Sequence, residues 1–387
     1  MARKQGEHDQ PQPAEHQDAR AARLNDRVDD APGAPIRGRD LGPPAARSDS
    51  GRDPARTQDE GEQTEAEATC LLPTQRAPVW PRLGFPLVAR ILLLGSTGFF
   101  GRGVAHKLID AGHQLRVLVR DPLKAAAFKG RGAQLIVGDA LNPTAVGQAA
   151  QGTDHIISLV AVRRNKPQSF LEVNVDGPRI LGQAAQAAGA KSVVFVSVIG
   201  ARLDPKYKYL TSRWMGEQEL SKTGVRGTIL RFSYVLAEEG GILAEFERVA
   251  NFGPFLIIPG SGQAQIQPIL REDAARCVVE AIDKPDLLGK IVELGGPEVV
   301  TYETMFGWFV EARGIKKPIV KVPPALLIPG AAIMEVMLDN PIGIPDEIKT
   351  VQLPNIADGI DSVSTHFGWR PSAPSSWVAT NWRKGRR

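Results

Sequence analysis

The chain has 387 residues, a formal net charge of +4, two cysteines and six histidines. Between Met1 and Cys70 the only Leu, Ile, Val or Phe residues are Leu24, Val28, Ile36 and Leu41. These cannot offset the entropy of ordering the segment, which excludes a folded N-terminal domain and predicts a disordered arm over residues 1–85. The segment to Cys70 carries a net −5 and leaves +9 on the rest, scattered with no Lys/Arg run interleaved with aromatics, so no nucleic-acid partner is expected.

From Ala89 onward short β-rich runs alternate with helical stretches, the pattern of βαβ units in a parallel sheet. Strands are predicted at residues 89–94, 114–119, 134–137, 155–160, 192–197 and 228–231. Helical segments are predicted at 101–111, 143–150, 170–188 and 210–222, with Gly112, Gly152, Gly189 and Gly224 as stops. Runs such as Ile91-Leu92-Leu93-Leu94 and Val193-Val194-Phe195-Val196 call for helices on both faces of the sheet. The expected fold is α/β: a Rossmann doubly wound parallel sheet over residues 86–235, then a smaller C-terminal lobe over 236–387 that contributes strands to the same sheet or closes over its carboxyl ends. In that lobe Trp308, Phe309, Leu326, Leu327, Met334 and Met337 read either as core or as a surface for a partner or membrane.

Cys70 and Cys277 lie far apart, against a disulfide framework, and the N-terminus has no apolar signal-peptide core, so a reducing cytoplasmic setting is expected. The apolar stretch 322–338 is interrupted by Pro323, Pro324, Pro329 and Glu335, and no transmembrane segment is expected. The histidines show no metal-like spacing, and no metal site is expected.

The first strand runs into Gly95-Ser96-Thr97-Gly98-Phe99-Phe100-Gly101, where a helix opens. A tight turn, close backbone approach and helix amides aimed at negative charge suit the pyrophosphate of a dinucleotide. Gly95, Thr97, Gly98, Phe99, Phe100 and Gly101 are therefore candidate cofactor contacts. The second strand ends in Val119-Arg120-Asp121. Arg120 suits a 2′-phosphate and Asp121 a ribose hydroxyl; NADP(H) is favoured over NAD(H). Arg102 reads as a second phosphate ligand or a surface residue. Asp139, after the third strand, reads as an adenine neighbour or a turn residue.

These residues resemble the atypical extended members of the short-chain dehydrogenase/reductase superfamily. Within it the likeness is to the nucleotide-binding accessory subunit of respiratory complex I and its bacterial epimerase/dehydratase-like relatives. The resemblance covers about residues 90–355 and rests on the glycine turn, on Ser169-Phe170-Leu171-Glu172-Val173-Asn174-Val175-Asp176-Gly177, on Ser197-Val198-Ile199-Gly200-Ala201, and on Glu293 through Tyr302. It implies that Tyr209 exchanges a proton, that Ser197 polarises a substrate carbonyl, and that the residue four after Tyr209 bonds the nicotinamide ribose. That residue is Arg213 where the family has Lys. The exchange is not conservative, because Arg cannot relay a proton. The resemblance therefore implies a protein that binds NAD(P)H in a structural or sensory role, at a membrane respiratory complex or in quinone metabolism, peripheral to the inner membrane. The alternatives are an NADP-dependent oxidoreductase or sugar-nucleotide epimerase/dehydratase, and an NADP(H)-sensing regulator.

Overall fold

The computed structural model describes residues 88–165 and 168–382. The expected N-terminal arm, Cys70 and the basic residues 383–387 lie outside them. The first half alternates strand and helix: β1 (Arg90–Leu94), α1 (Phe99–Asp110), β2 (Gln114–Val119), α2 (Ala126–Lys129), β3 (Gln134–Val137), α3 (Pro143–Ala150), β4 (His155–Ser158), α4 (Gly177–Ala187), β5 (Ser192–Val198), α5 (Lys208–Lys222) and β6 (Gly227–Phe232). The second half is built of shorter pieces: β7 (Val235–Leu236), α6 (Gly241–Asn251), β8 (Leu256–Pro259), β9 (Gln265–Ile266), β10 (Ile269–Leu270), α7 (Arg271–Glu280), β11 (Ile291–Leu294), β12 (Val300–Thr301), α8 (Tyr302–Arg313), β13 (Ile319–Val322), α9 (Pro324–Met337), α10 (Pro345–Thr350), α11 (Ser362–Phe367) and α12 (Pro374–Asn381).

The central sheet has seven strands in the order β11-β6-β5-β4-β1-β2-β3, every pair parallel. Six of them are the predicted ones to within one or two residues; the seventh, β11, returns from the second half of the chain and pairs with β6 from Ile291↔Ile229 to Leu294↔Phe232. Alternation along each strand sends side chains to two cores. Ile91 and Leu93 of β1 join α1 and α7 through Val104, Leu108, Ala274 and Val278, while Leu92 and Leu94 join α3, α4 and α5 through Val146, Leu181 and Leu220. Helices on both faces make the sheet doubly wound, as the continuous apolar strands required.

One predicted helix is interrupted. Residues 170–188 begin with a single wide π turn over Leu171–Asp176 before α4. Pro178 has no amide to donate to the carbonyl four residues back, and the Gly177 amide reaches Glu172 instead. The second half has its own apolar cluster around Phe246, Phe306, Phe309, Met305 and Trp382. Phe309 is core there, whereas Leu326 and Met337 are exposed. Among the described residues no helix is long and apolar enough to cross a membrane.

Candidate functional site

The glycine turn supplies the first wall. Gly95 has φ +84°, a backbone region that glycine occupies without penalty, and its carbonyl accepts from the Gly98 amide at 3.2 Å. A Cβ on Gly101 would lie 2.0 Å from that carbonyl oxygen, so the helix can approach the strand end this closely only without a side chain. A Cβ on Gly98 would touch the Gly95 oxygen at an ordinary 3.5 Å and leave the outer side open. No side chain caps α1 and its first turn holds no acidic residue. Its leading amides therefore await an acceptor, and a diphosphate matches them in charge and geometry. Ser96, beneath the turn, is fully buried, and its hydroxyl has no hydrogen-bond partner among the described residues.

At the ends of β2 and β3 the two carboxylates serve their own turns. Asp121 Oδ1 accepts from the Leu123 amide at 3.0 Å, and Asp139 Oδ1 from Leu141 at 2.8 Å. Arg120 is exposed, with Nη1 3.3 Å from Gln168 Oε1 and 4.0 Å from Asp139 Oδ2. Of these three, the guanidinium keeps the most unspent hydrogen-bonding capacity toward a ligand. Arg102 lies 3.7 Å from Glu239, both well exposed.

Tyr209 and Arg213 are one turn apart on α5 and both line the cavity described below. The start of α5 is capped from a distant part of the chain: Asp346 accepts from the Lys208 amide at 2.8 Å and from the Tyr209 amide at 3.0 Å. The Tyr209 ring lies against Phe170, centroids 6.2 Å apart. Arg213 is only 1 % exposed; its guanidinium sits 4.9 Å over the Phe195 ring and its Nη2 donates to the Val196 carbonyl. Burial pulls its pKa below the ordinary arginine value, opposed by Tyr209 and Glu217. Nε and Nη1 have no hydrogen-bond partner among the described residues. A buried cation with two unused donors is costly unless a ligand brings acceptors. The ribose hydroxyls of a nicotinamide dinucleotide would supply them, so the residues present fit that group.

Ser197 is also buried, and its hydroxyl donates to Glu217 Oε1 at 2.5 Å. Glu217, fully buried, is held in turn by Arg231, through Nε at 3.0 Å and Nη2 at 2.6 Å. With its proton committed to a carboxylate, Ser197 offers a ligand lone pairs and no donor. Glu217 escaped the sequence reading although a signal existed: Tyr209, Arg213 and Glu217 recur every four residues along one helix face.

A cavity of about 730 Å³ opens at the carboxyl ends of the strands, where the order reverses between β1 and β4. Its inner end is walled by Gly95, Gly98, Val196, Ser197, Tyr209 and Arg213, its outer end by α6, α9 and α10. Thr97, Arg120 and Asp139 are outside its lining, the last two at the ends of β2 and β3. Asn174, on the wide π turn, donates to the Val162 carbonyl and to Ser212 and accepts from the Val162 amide, each at 2.9 Å, and so fixes the loop after β4. Arg163 and Arg164 on that loop meet Glu245 of α6 at 3.1 and 3.5 Å and Glu347 of α10 at 3.9 and 3.7 Å. Burial raises the Glu347 pKa above the usual carboxylate value, with the two arginines opposing. Asn174 lies within Ser169–Gly177, a stretch that carries the family resemblance without by itself marking a role for the asparagine. Glu245, Asp346, Glu347 and Asn355 carried no local signal.

A family described as NAD(P)H-binding matches residues 95–285. Photosystem II assembly factor Ycf39 of Synechocystis is 32 % identical over 144 residues, covering 37 % of this chain and 44 % of that protein. The mitochondrial NADH dehydrogenase [ubiquinone] 1 alpha subcomplex subunit 9 of Mus musculus is 28 % identical over 214 residues, covering 53 % and 56 %. The chain thus spans about half the length of these curated relatives. Among solved structures, the Escherichia coli NADPH-dependent quinone oxidoreductase QOR2 in complex with NADPH superposes with a TM-score of 0.59 at 20 % identity, covering 75 % of this chain and 98 % of that one, a likeness of fold. The glycine turn, the parallel sheet and the family match together make residues 95–285 an NAD(P)H-binding domain.

Proposed function

We propose that the chain holds NADP(H) chiefly as a structural or sensory group and docks on a membrane-associated assembly, in the manner that the name of the mouse relative suggests. The observation that carries this reading is the state of the expected catalytic set. The Ser197 hydroxyl donates its hydrogen bond to the buried Glu217, and the position of a relaying lysine holds Arg213, with one of its nitrogens tied to a backbone carbonyl. The Ser197 hydroxyl is committed and Arg213 keeps Nε and Nη1 for a ligand but cannot relay a proton, while the uncapped helix start is intact for binding. Arg120, with both neighbouring carboxylates engaged in turns, supports the 2′-phosphorylated cofactor. In this arrangement Gly95 through Gly101 hold the diphosphate, Arg213 the nicotinamide ribose, and Tyr209 faces the nicotinamide end. The cofactor, when bound, supplies hydride chemistry; the chain supplies position and exclusion of water.

The size of the cavity beside Tyr209 favours a second reading, a working oxidoreductase or epimerase in which the Tyr209 hydroxyl moves the proton. Natively purified protein separates the two. Tightly retained NADPH, co-purification with a membrane complex and no turnover across carbonyl, quinone and sugar-nucleotide substrates are expected. Robust turnover that disappears in Tyr209→Phe would overturn the scaffold reading.

A further inference from the structure

The outer half of the cavity is chemically unlike its inner half. Two of its lining residues each carry a buried oxygen that accepts no hydrogen bond among the described residues: Asn355 Oδ1, whose Nδ2 donates to the Ile199 carbonyl at 3.2 Å, and Glu347 Oε1, whose arginine neighbours stand beyond hydrogen-bond distance at 3.7 and 3.9 Å. Oxygen atoms so placed call for O–H or N–H groups on whatever enters. Past them the wall turns to carbon, with Phe246, Val249, Phe252, Phe255, Leu326 and Met334. The last two belong to α9, which has one buried side chain, Ala331, and one charged residue, Glu335. Its outer face leaves Leu326 72 %, Ile333 61 %, Val336 76 % and Met337 76 % exposed. A contiguous apolar surface of this kind on a folded protein marks a binding site. Here it is continuous with the cavity wall through Leu326.

We propose that the outer chamber binds an amphiphile: a head bearing a hydroxyl or amide N–H seated at Asn355 and Glu347 beside Tyr209, and a hydrocarbon tail that runs between Phe252, Phe255 and α9 to the surface. The assignment rests on the inner end holding the nicotinamide. A sugar nucleotide is the wrong shape of polarity for this chamber, since its hydroxyls and phosphates would be stripped of water against carbon. A tail gains by leaving water at every methylene.

The test is calorimetric titration of the NADPH-loaded protein with N-acyl ethanolamines from acetyl to tetradecanoyl, each kept monomeric. Affinity is expected to rise roughly fourfold per added methylene and then level off as the tail reaches the mouth. Methyl esters of the same acids, which lack donors, should bind about tenfold more weakly at equal length. Leu326→Asp, an exposed position, should abolish the gain with length while leaving NADPH binding intact. Flotation of the protein with phosphatidylcholine vesicles carrying the longest homologue would support a bilayer as the source of the ligand, and binding of the monomer alone a soluble source; both uphold the chamber. A flat length series, indifference to Leu326→Asp, or tighter binding of a UDP-sugar than of the long-chain homologues would overturn it. NADPH titrated into the same sample keeps the failures apart. NADPH binding with a flat series sinks the amphiphile alone; a rising series without NADPH binding sinks the nicotinamide reading of the inner end.

Discussion

At Gly101 a single missing methyl decides whether the cofactor turn can close. A Cβ there would stand 2.0 Å from the Gly95 carbonyl oxygen, a backbone atom, and no rotamer moves either one. Gly101→Ala is expected to cost about 1–3 kcal/mol in urea unfolding and to remove NADPH binding in calorimetry; wild-type values for both would show that the turn relaxes. Arg120 acts through charge and not through shape. Arg120→Ala is expected to weaken NADPH about tenfold or more, the worth of a charge-assisted bond, and NADH by less than about twofold. Equal losses for the two cofactors would remove the 2′-phosphate role. Asp121 and Asp139 each give Oδ1 to the amide two residues on, a turn role that leaves Oδ2 available to a nucleotide.

The amino ends of the strands, opposite the cavity, govern stability rather than binding. His155, at the start of β4, shares a 2.7 Å hydrogen bond with Ser192 of β5, and the nearby His113 accepts from the Ala89 amide at 3.4 Å. Burial lowers both imidazole pKa values below the ordinary 6.5. Protonation then favours the unfolded chain, so their contribution is present above 6.5 and lost as pH falls through the depressed folded values. Asp154, bonded by the amide and guanidinium of Arg90, has its carboxyl held well below the usual range and keeps its charge through that window. The urea midpoint should therefore fall as pH drops below 6.5, and His155→Gln should flatten the fall. An unchanged pH slope in that variant would assign the effect elsewhere. The wide π turn on the other side of the sheet shows why helix periodicity alone missed a break: the apolar spacing continues through it, and only the missing amide of Pro178 opens it.

For the molecule as a whole, ligand and fold are linked. A cofactor that binds the folded chain at a hundred times its Kd adds about 2.7 kcal/mol. Saturating NADPH should raise the melting temperature by several degrees, and the rise should vanish in Gly101→Ala. No shift in the wild type would contradict dinucleotide binding outright. The arginine and glutamate contacts that join the loop after β4 to α6 and α10 place the second half of the chain over the cofactor cavity, so the same ligand should protect both halves together in hydrogen exchange.

The parts that could be read from the residues in order are those whose physics is local: alternating strands and helices, the spaced glycines, and Tyr209 with Arg213 one helical turn apart. Each depends on neighbours within a few positions. The cap that Asp346 places on Tyr209 spans 137 residues, the bond from Asn355 to Ile199 spans 156, and β11 joins the sheet from beyond the second half's small strands. Such pairings leave no periodic trace, because nothing in either short segment needs the other until the chain has packed. The commitment of Ser197 to Glu217 is of the same kind: the two residues lie 20 positions apart, and a strand meeting a helix decided which carboxylate accepts the hydroxyl's hydrogen bond.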